Sequence, residues 1–271
     1  MPKSKKKFKK QFKETFTGKS LIFLAKTPIY LWRGAKKIKI YSDKKSEEKK
    51  VLKKRGMILA KYESFKTLQA DVGDYNEWEK KVFNADSKIG IIIGARGTGK
   101  TAFGIRFIEN LYSINKKRCY AIGFKKEEMP MWINVVQEIN QLNNNSFVLI
   151  DEGGILFSSR SSMSNANKLL SELILIARHK NLSILFISQN SSNLDINILR
   201  QADFLILKPS SLLQEEFERK IIQKIYREAN SSFNKFKGVR GVTHIYSDDF
   251  KGFIVNPLPS FWGEKISKGF S

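Results

Sequence analysis

KIGIIIGARGTGKT, running from Lys88 to Thr101, joins an apolar run to a glycine-rich octet. The octet, Gly94, Ala95, Arg96, Gly97, Thr98, Gly99, Lys100 and Thr101, satisfies the phosphate-binding pattern GxxxxGK[ST] at every fixed position. Ahead of it, Lys88 to Ile93 is β-branched and almost continuously apolar, the pattern of a strand covered on both faces. Behind it, Thr101 to Tyr112 sets Ala102, Ile105, Ile108 and Leu111 at helical spacing. Strand, glycine turn and helix together aim backbone N–H groups and a helix N-terminus at a triphosphate. ATP is therefore the expected ligand, cradled by Gly94 to Ala102. Lys100 is expected to reach the β- and γ-phosphates, and the Thr101 hydroxyl to take a place on Mg²⁺.

Working outward, Cys119 to Phe124 (CYAIGF) reads as a second buried strand, and Met131 to Leu142 as a helix broken by Asn143, Asn144 and Asn145. Phe147 to Ile150 (FVLI) is a third strand, ending in Asp151 and Glu152. A long helix is expected from Ser164 to His179, with Leu169, Leu170, Leu173, Ile174 and Ile176 as its core face. Ser183 to Ser188 (SILFIS) then closes on Gln189 and Asn190, and Phe204 to Leu207 makes a fifth strand. Strands alternating with helices predict an α/β fold with a mostly parallel, helix-covered sheet. Residues 56–87 lead into that sheet. Further on, Ser211 to Glu228 reads as an amphipathic helix, and Thr243 to Tyr246 with Gly252 to Val255 as a hairpin. The expected organisation is an arm and linker at 1–55, with Tyr41 to Lys54 as the linker. An ATPase core at 56–210 and a carboxyl-terminal helix and hairpin at 211–271 complete it.

The apolar strand ending in Asp151 and Glu152 has a physical logic beside such a loop. Asp151 would hold Mg²⁺, and Glu152 would polarise the attacking water as general base. Ligands of open α/β sheets bind at the carboxyl edge, where both groups and the glycine loop belong. Gln189, at the end of the following strand, can donate and accept, as a γ-phosphate sensor must. Arg178, in ARHKN before that strand, is the candidate arginine finger acting across a subunit boundary, with Arg160 and Arg200 as alternates.

Charge is distributed unevenly. The 271 residues carry 49 Lys and Arg against 26 Asp and Glu, and residues 1–55 alone hold 20 basic and 4 acidic residues. A basic arm of this kind seeks phosphate, on nucleic acid or anionic lipid. Phe8, Phe12 and Phe16 recur among its lysines, so on a helix they make an aromatic stripe extended by Leu21 to Leu24. Such a stripe can lie on a membrane, dock on a partner subunit, or stay unfolded until nucleic acid is met. Cys119 is the only cysteine, which excludes an internal disulfide and fits a reducing cytoplasm; His179 and His244 are too few for a structural zinc site. Leu21 to Trp32, the longest apolar stretch, is too short to span a bilayer and lacks a cleavage site.

GARGTGKT, FVLIDEGGILFSSR and ARHKNLSILFISQNSSNLDINILRQADFLIL resemble the FtsK/HerA branch of P-loop ATPases. DEGGILFSSR followed by RHKNLSILFISQ is also similar to the zonular occludens toxin family and to viral packaging ATPases. The resemblance covers residues 88–208. It implies a RecA-like fold in which Lys100 and Thr101 contact phosphate and Mg²⁺, Asp151 and Glu152 are the Walker B pair, and Gln189 is the sensor. It further implies a hexameric ring that moves or packages double-stranded DNA, viral genome packaging foremost. A membrane-associated virion-assembly ATPase and a nucleotide-dependent scaffold are the alternatives. The arm would touch membrane or capsid, and the protein would be cytoplasmic, peripheral to the membrane, or part of the virion.

Overall fold

The computed structural model describes residue 36 and residues 39–152 and 163–263. The aromatic arm through Leu24 and the alternate finger Arg160 lie outside the described residues. Strands are β1 (Lys66–Val72), β2 (Ile89–Ile93), β3 (Arg118–Ile122), β4 (Ile133–Val135), β5 (Ser146–Asp151), β6 (Leu182–Ile187), β7 (Phe204–Leu207), β8 (Val242–Ser247) and β9 (Lys251–Val255). Helices are α1 (39–56), α2 (Tyr75–Asn84), α3 (Lys100–Asn115), α4 (Met163–Lys180), α5 (Ile196–Arg200), α6 (Leu212–Phe217) and α7 (Lys220–Lys235).

All nine strands form one sheet in the order β1-β9-β8-β7-β2-β6-β5-β3-β4. From β7 to β4 every neighbouring pair is parallel, and β8, β9 and β1 extend the sheet antiparallel. The glycine-loop strand β2 is buried throughout because both of its faces are covered. Ile92 packs with Phe103 and Phe107 of α3 and Trp78 of α2. Ile91 and Ile93 point the other way, toward Leu173 of α4 and Ile222, Ile225 and Tyr226 of α7. The β-branched run of the sequence is this two-sided burial.

The chain divides into two units, Met1–Lys54 and Arg55–Ser271. In the first, residues 39–54 are helical where charge had pointed to a linker. Lysine and glutamate are strong helix formers, and no Gly or Pro interrupts 39–55.

Two further expectations change. Met131 to Leu142 is not a helix; it holds the three-residue strand β4 and a 3₁₀ turn at Ile139–Gln141. Ile133 is buried in the core and pairs with Cys119, so an edge place beside β3 overrides the helical spacing. Ser211 to Glu228 is two helices, because Glu218 and Arg219 take extended backbone with ψ of 160 and 146. The Glu218 carboxylate is turned inward there and accepts the Ser191 backbone N–H at 2.7 Å. Residues 56–87, left without elements, supply β1 on the far edge and α2, whose N-cap Asp74 accepts from the N–H groups of Asn76 and Glu77.

Candidate active site

Parallel strands bring their carboxyl ends to one edge, and register then decides which residues meet. Ile187 of β6 pairs with Ile92 of β2 on one side and with Asp151 of β5 on the other. The residue after it, Ser188, is bonded to the carbonyl of Ile92 at 2.9 Å and so stands between the glycine loop and the acid pair.

The loop turns from β2 into α3 through positive φ at Gly94 (152), Gly97 (80) and Gly99 (88). Gly94 also has no room for a side chain, since a Cβ there would lie 2.5 Å from that of Lys208. The loop is pinned from behind by the Ala95 N–H, which donates to Pro209 O at 3.1 Å. No side chain caps the N-terminus of α3, leaving its first N–H groups to an anion. Lys100 is buried and folds back over the loop, its Nζ donating to Gly94 O at 2.6 Å and Ala95 O at 2.9 Å. Burial pulls its pKa down, opposed by the negative charges of Asp151, Glu152 and Glu218.

Thr101 Oγ1 donates to Asp151 Oδ2 at 3.0 Å, which joins the loop to the end of β5. A hydroxyl and a carboxylate in contact are the hard oxygen donors that Mg²⁺ takes, with phosphate and water completing its shell. No group of three or more His, Cys, Asp or Glu suited to a metal occurs among the described residues. Glu152 is buried, and its Oε2 accepts from Ser188 Oγ at 2.6 Å and from Gln189 N–H at 3.4 Å. Burial raises the Glu152 pKa, and the Ser188 and Gln189 hydrogen bonds and the charge of Lys100 hold it back. A raised proton affinity is the direction that suits a carboxylate to accepting a proton.

Lys100, Thr101, Asp151, Glu152 and the Gln189 backbone therefore meet at one edge, with the Gln189 side chain exposed beside them. Arg178 and Arg200 do not join them. Arg178 lies in the last turn of α4 and is exposed, close to where Lys180 O receives the Asn145 N–H at 2.9 Å, at the amino ends of β5 and β6. Arg200 ends α5 shortly before Asp203, whose backbone N–H reaches Ile89 O at 2.7 Å, on the same opposite edge.

On the other flank of the loop, a cleft of 620 Å³ runs from Gly97, Gly99 and Ala102 to Lys208, Arg240, Asn256 and Pro257. Lys208 is fully buried, its Nζ donating at 2.6 Å to both Thr243 Oγ1 and Asn256 Oδ1. Burial lowers its pKa to about 7. Sequence reasoning missed Ser188, Lys208 and Glu218. Ser188 was marked only by preceding Gln189 at a strand end, and Lys208 by following an all-apolar strand; nothing marked Glu218.

Fold and site together define a P-loop ATPase, and its sheet and motifs fit the FtsK/HerA type. Within it, residues 104–207 match the family model of zonular occludens toxin (Zot). No curated protein matches the chain. Among solved structures, the DNA-packaging ATPase B204 of Sulfolobus Turreted Icosahedral Virus is 16% identical, over 65% of this chain and 99% of that one, at a TM-score of 0.45. The pCW3 conjugation coupling protein TcpA is 12% identical over 68% and 64%, also at 0.45. The N-terminal domain of zonular occludens toxin from Neisseria meningitidis is 17% identical over 45% and 76%, at 0.28.

Proposed function

We propose that this chain is an ATP-hydrolysing motor that assembles as a ring, hexameric in its family's manner, and translocates or packages double-stranded DNA, with viral genome packaging as its setting. The observation that carries the hydrolytic part is the meeting of Lys100, Thr101, Asp151 and Glu152 at one strand edge. In this reading the triphosphate lies along Gly94 to Thr101, and the nucleoside extends over Ala102 into the cleft toward Arg240 and Pro257. Thr101 and Asp151 would hold Mg²⁺, which would supply neutralisation of the phosphate charge. Lys100 leaves the loop carbonyls for the phosphates. Glu152 accepts a proton from a water whose oxygen bonds the γ-phosphorus, the β–γ bridge breaks, and Gln189 orients that water. Arg178, on the far edge, can serve only a neighbouring subunit's site.

DNA as the cargo is supported by the net charge of +23, since lysine and arginine bind the phosphate backbone by releasing counterions, without sequence preference. The Zot match over residues 104–207 favours a second reading, a virion-assembly ATPase peripheral to the cytoplasmic face of a membrane. Steady-state ATP hydrolysis with and without duplex DNA, at two salt concentrations, tests the first. The motor reading expects stimulation by duplex that fades as salt rises. ATP turnover indifferent to DNA, with liposome binding lost on deleting residues 1–30, would select the second.

A further inference from the structure

One chain of contacts leaves the acid pair and ends at the junction of α6 and α7. Ser188 Oγ donates to Glu152 Oε2 at 2.6 Å and accepts the Asn190 N–H at 3.3 Å. The next residue is gripped from the opposite side, where Gln214 Nε2 donates to Gln189 O at 2.6 Å. Ser191, fully buried, gives both its N–H and its hydroxyl to the Glu218 carboxylate. Arg219 closes the grip, its N–H reaching Ser191 Oγ at 2.9 Å and its Nε reaching Ser191 O at 3.0 Å. Residues 188–191 thus hang between the reacting carboxylate and two surface helices.

The cost of this arrangement argues that it does more than hold a loop. Glu218 is buried; its carboxylate takes the Ser191 N–H and hydroxyl and the Gln214 amide and lies within reach of the Lys100 charge, while Arg219 spends its side-chain bonds on the carbonyls of Ser191 and Leu194. A buried carboxylate costs desolvation that an apolar residue would avoid. It also interrupts what the sequence reads as one continuous helix. That cost is spent on the position of a four-residue segment whose first member touches Glu152.

We propose that Ser188 is the positioning residue of Glu152, and that Gln214 and Glu218 hold it there, so that turnover is set from the α6–α7 junction while nucleotide affinity is not. This rests on Glu152 being the general base. A contact made on α6 by whatever the motor grips or abuts then reaches the reacting water through residues 188–191.

The test compares full-length Ser188→Ala, Ser188→Thr, Glu218→Gln and Gln214→Ala, with Glu152→Gln as control. Each is read by kcat for ATP and by equilibrium binding of a fluorescent ATP analogue. Ser188→Ala and Glu218→Gln are expected to lose about tenfold to a hundredfold in kcat, the range typical of groups that orient a reacting ligand, with binding unchanged in Ser188→Ala and not weakened in Glu218→Gln. Ser188→Thr restores most of the rate, and Gln214→Ala, at the surface, loses a fewfold. Wild-type kcat in Ser188→Ala, or affinity falling in step with kcat in Glu218→Gln, overturns the inference. Should Ser188→Ala not fold, Gln214→Ala decides, and an unaltered rate there overturns it. Full activity in Glu152→Gln removes the general-base reading first, and this inference with it.

Discussion

The two flanks of the glycine loop contrast sharply. Toward β6 and β5 it meets carboxylates, Asp151 and Glu152, with Lys100 among them. Toward β7, β8 and β9 it meets Lys208, Arg240 and Asn256, and no acid lines the cleft there among the described residues. Strand direction explains the difference. Every parallel strand delivers its carboxyl end to the loop's edge, so consecutive strands stack reacting groups side by side. In the antiparallel flank the starts of β8 and β1 and the end of β9 reach that edge, as the pairing of Val255 with both Val242 and Lys66 shows. They build a wall. One flank gathers charged groups at the loop, and the other braces the loop from behind through Lys208 and Pro209.

The largest expected effect breaks the contrast on its acidic side. Glu152→Gln should lower kcat by about 10²- to 10⁴-fold while ATP still binds, and Lys100→Ala should abolish binding; ATP turnover and calorimetric titration check both. Next comes the basic flank. Lys208 titrates near 7 when folded against 10.5 as a free side chain, so the unfolded chain binds the extra proton between those values. Stability should therefore climb with pH from 7 to 10.5. The rise is on the order of a few kcal/mol, at about 1.4 per pKa unit. Urea midpoints at pH 7 and pH 10 should differ less in Lys208→Met than in wild type.

His244 of β8 gives a smaller effect of the same sign at acid pH. Burial, with the charge of Lys251, lowers its pKa to about 4 from 6.5. Stability should fall as pH drops from 6.5 to 4, and His244→Phe should blunt that fall in thermal melts at pH 7 and pH 4.5. The smallest effect sharpens the boundary between the flanks. Gly94→Ala drives a Cβ to within 2.5 Å of Lys208 Cβ at a positive φ, and should cost about 1–3 kcal/mol together with weaker nucleotide binding.

Legibility in the sequence follows the same division. The parallel strands are continuous apolar runs, so β2, β5, β6 and β7 were readable to within a residue or two, and with them Lys100, Thr101, Asp151 and Glu152. The antiparallel flank was harder. The hairpin could be read, but β1 (KTLQADV) is largely exposed and carries no apolar run, so nothing in the sequence marked it as pairing with β9. β4 was hidden because tertiary pairing of Ile133 outweighed helical spacing. The break between α6 and α7 depends on Glu218 reaching Ser191, a contact between residues far apart in the chain that local patterning does not encode. Arg178 was legible as a charge before a strand, but the edge it occupies follows only from strand order.

That order has a consequence for anyone mapping the protein by mutation. Because β6 lies between β2 and β5, the strands that carry the loop and the acids stand two strand spacings apart, about 9.6 Å, a distance that backbone hydrogen bonds set. Enlarging Leu149 or Ile187, whose side chains crowd Gly104 of α3, would push the helix that carries Lys100 and Thr101 off the sheet. A saturation screen scored on turnover would then rank greasy residues that touch no ligand among its most sensitive positions.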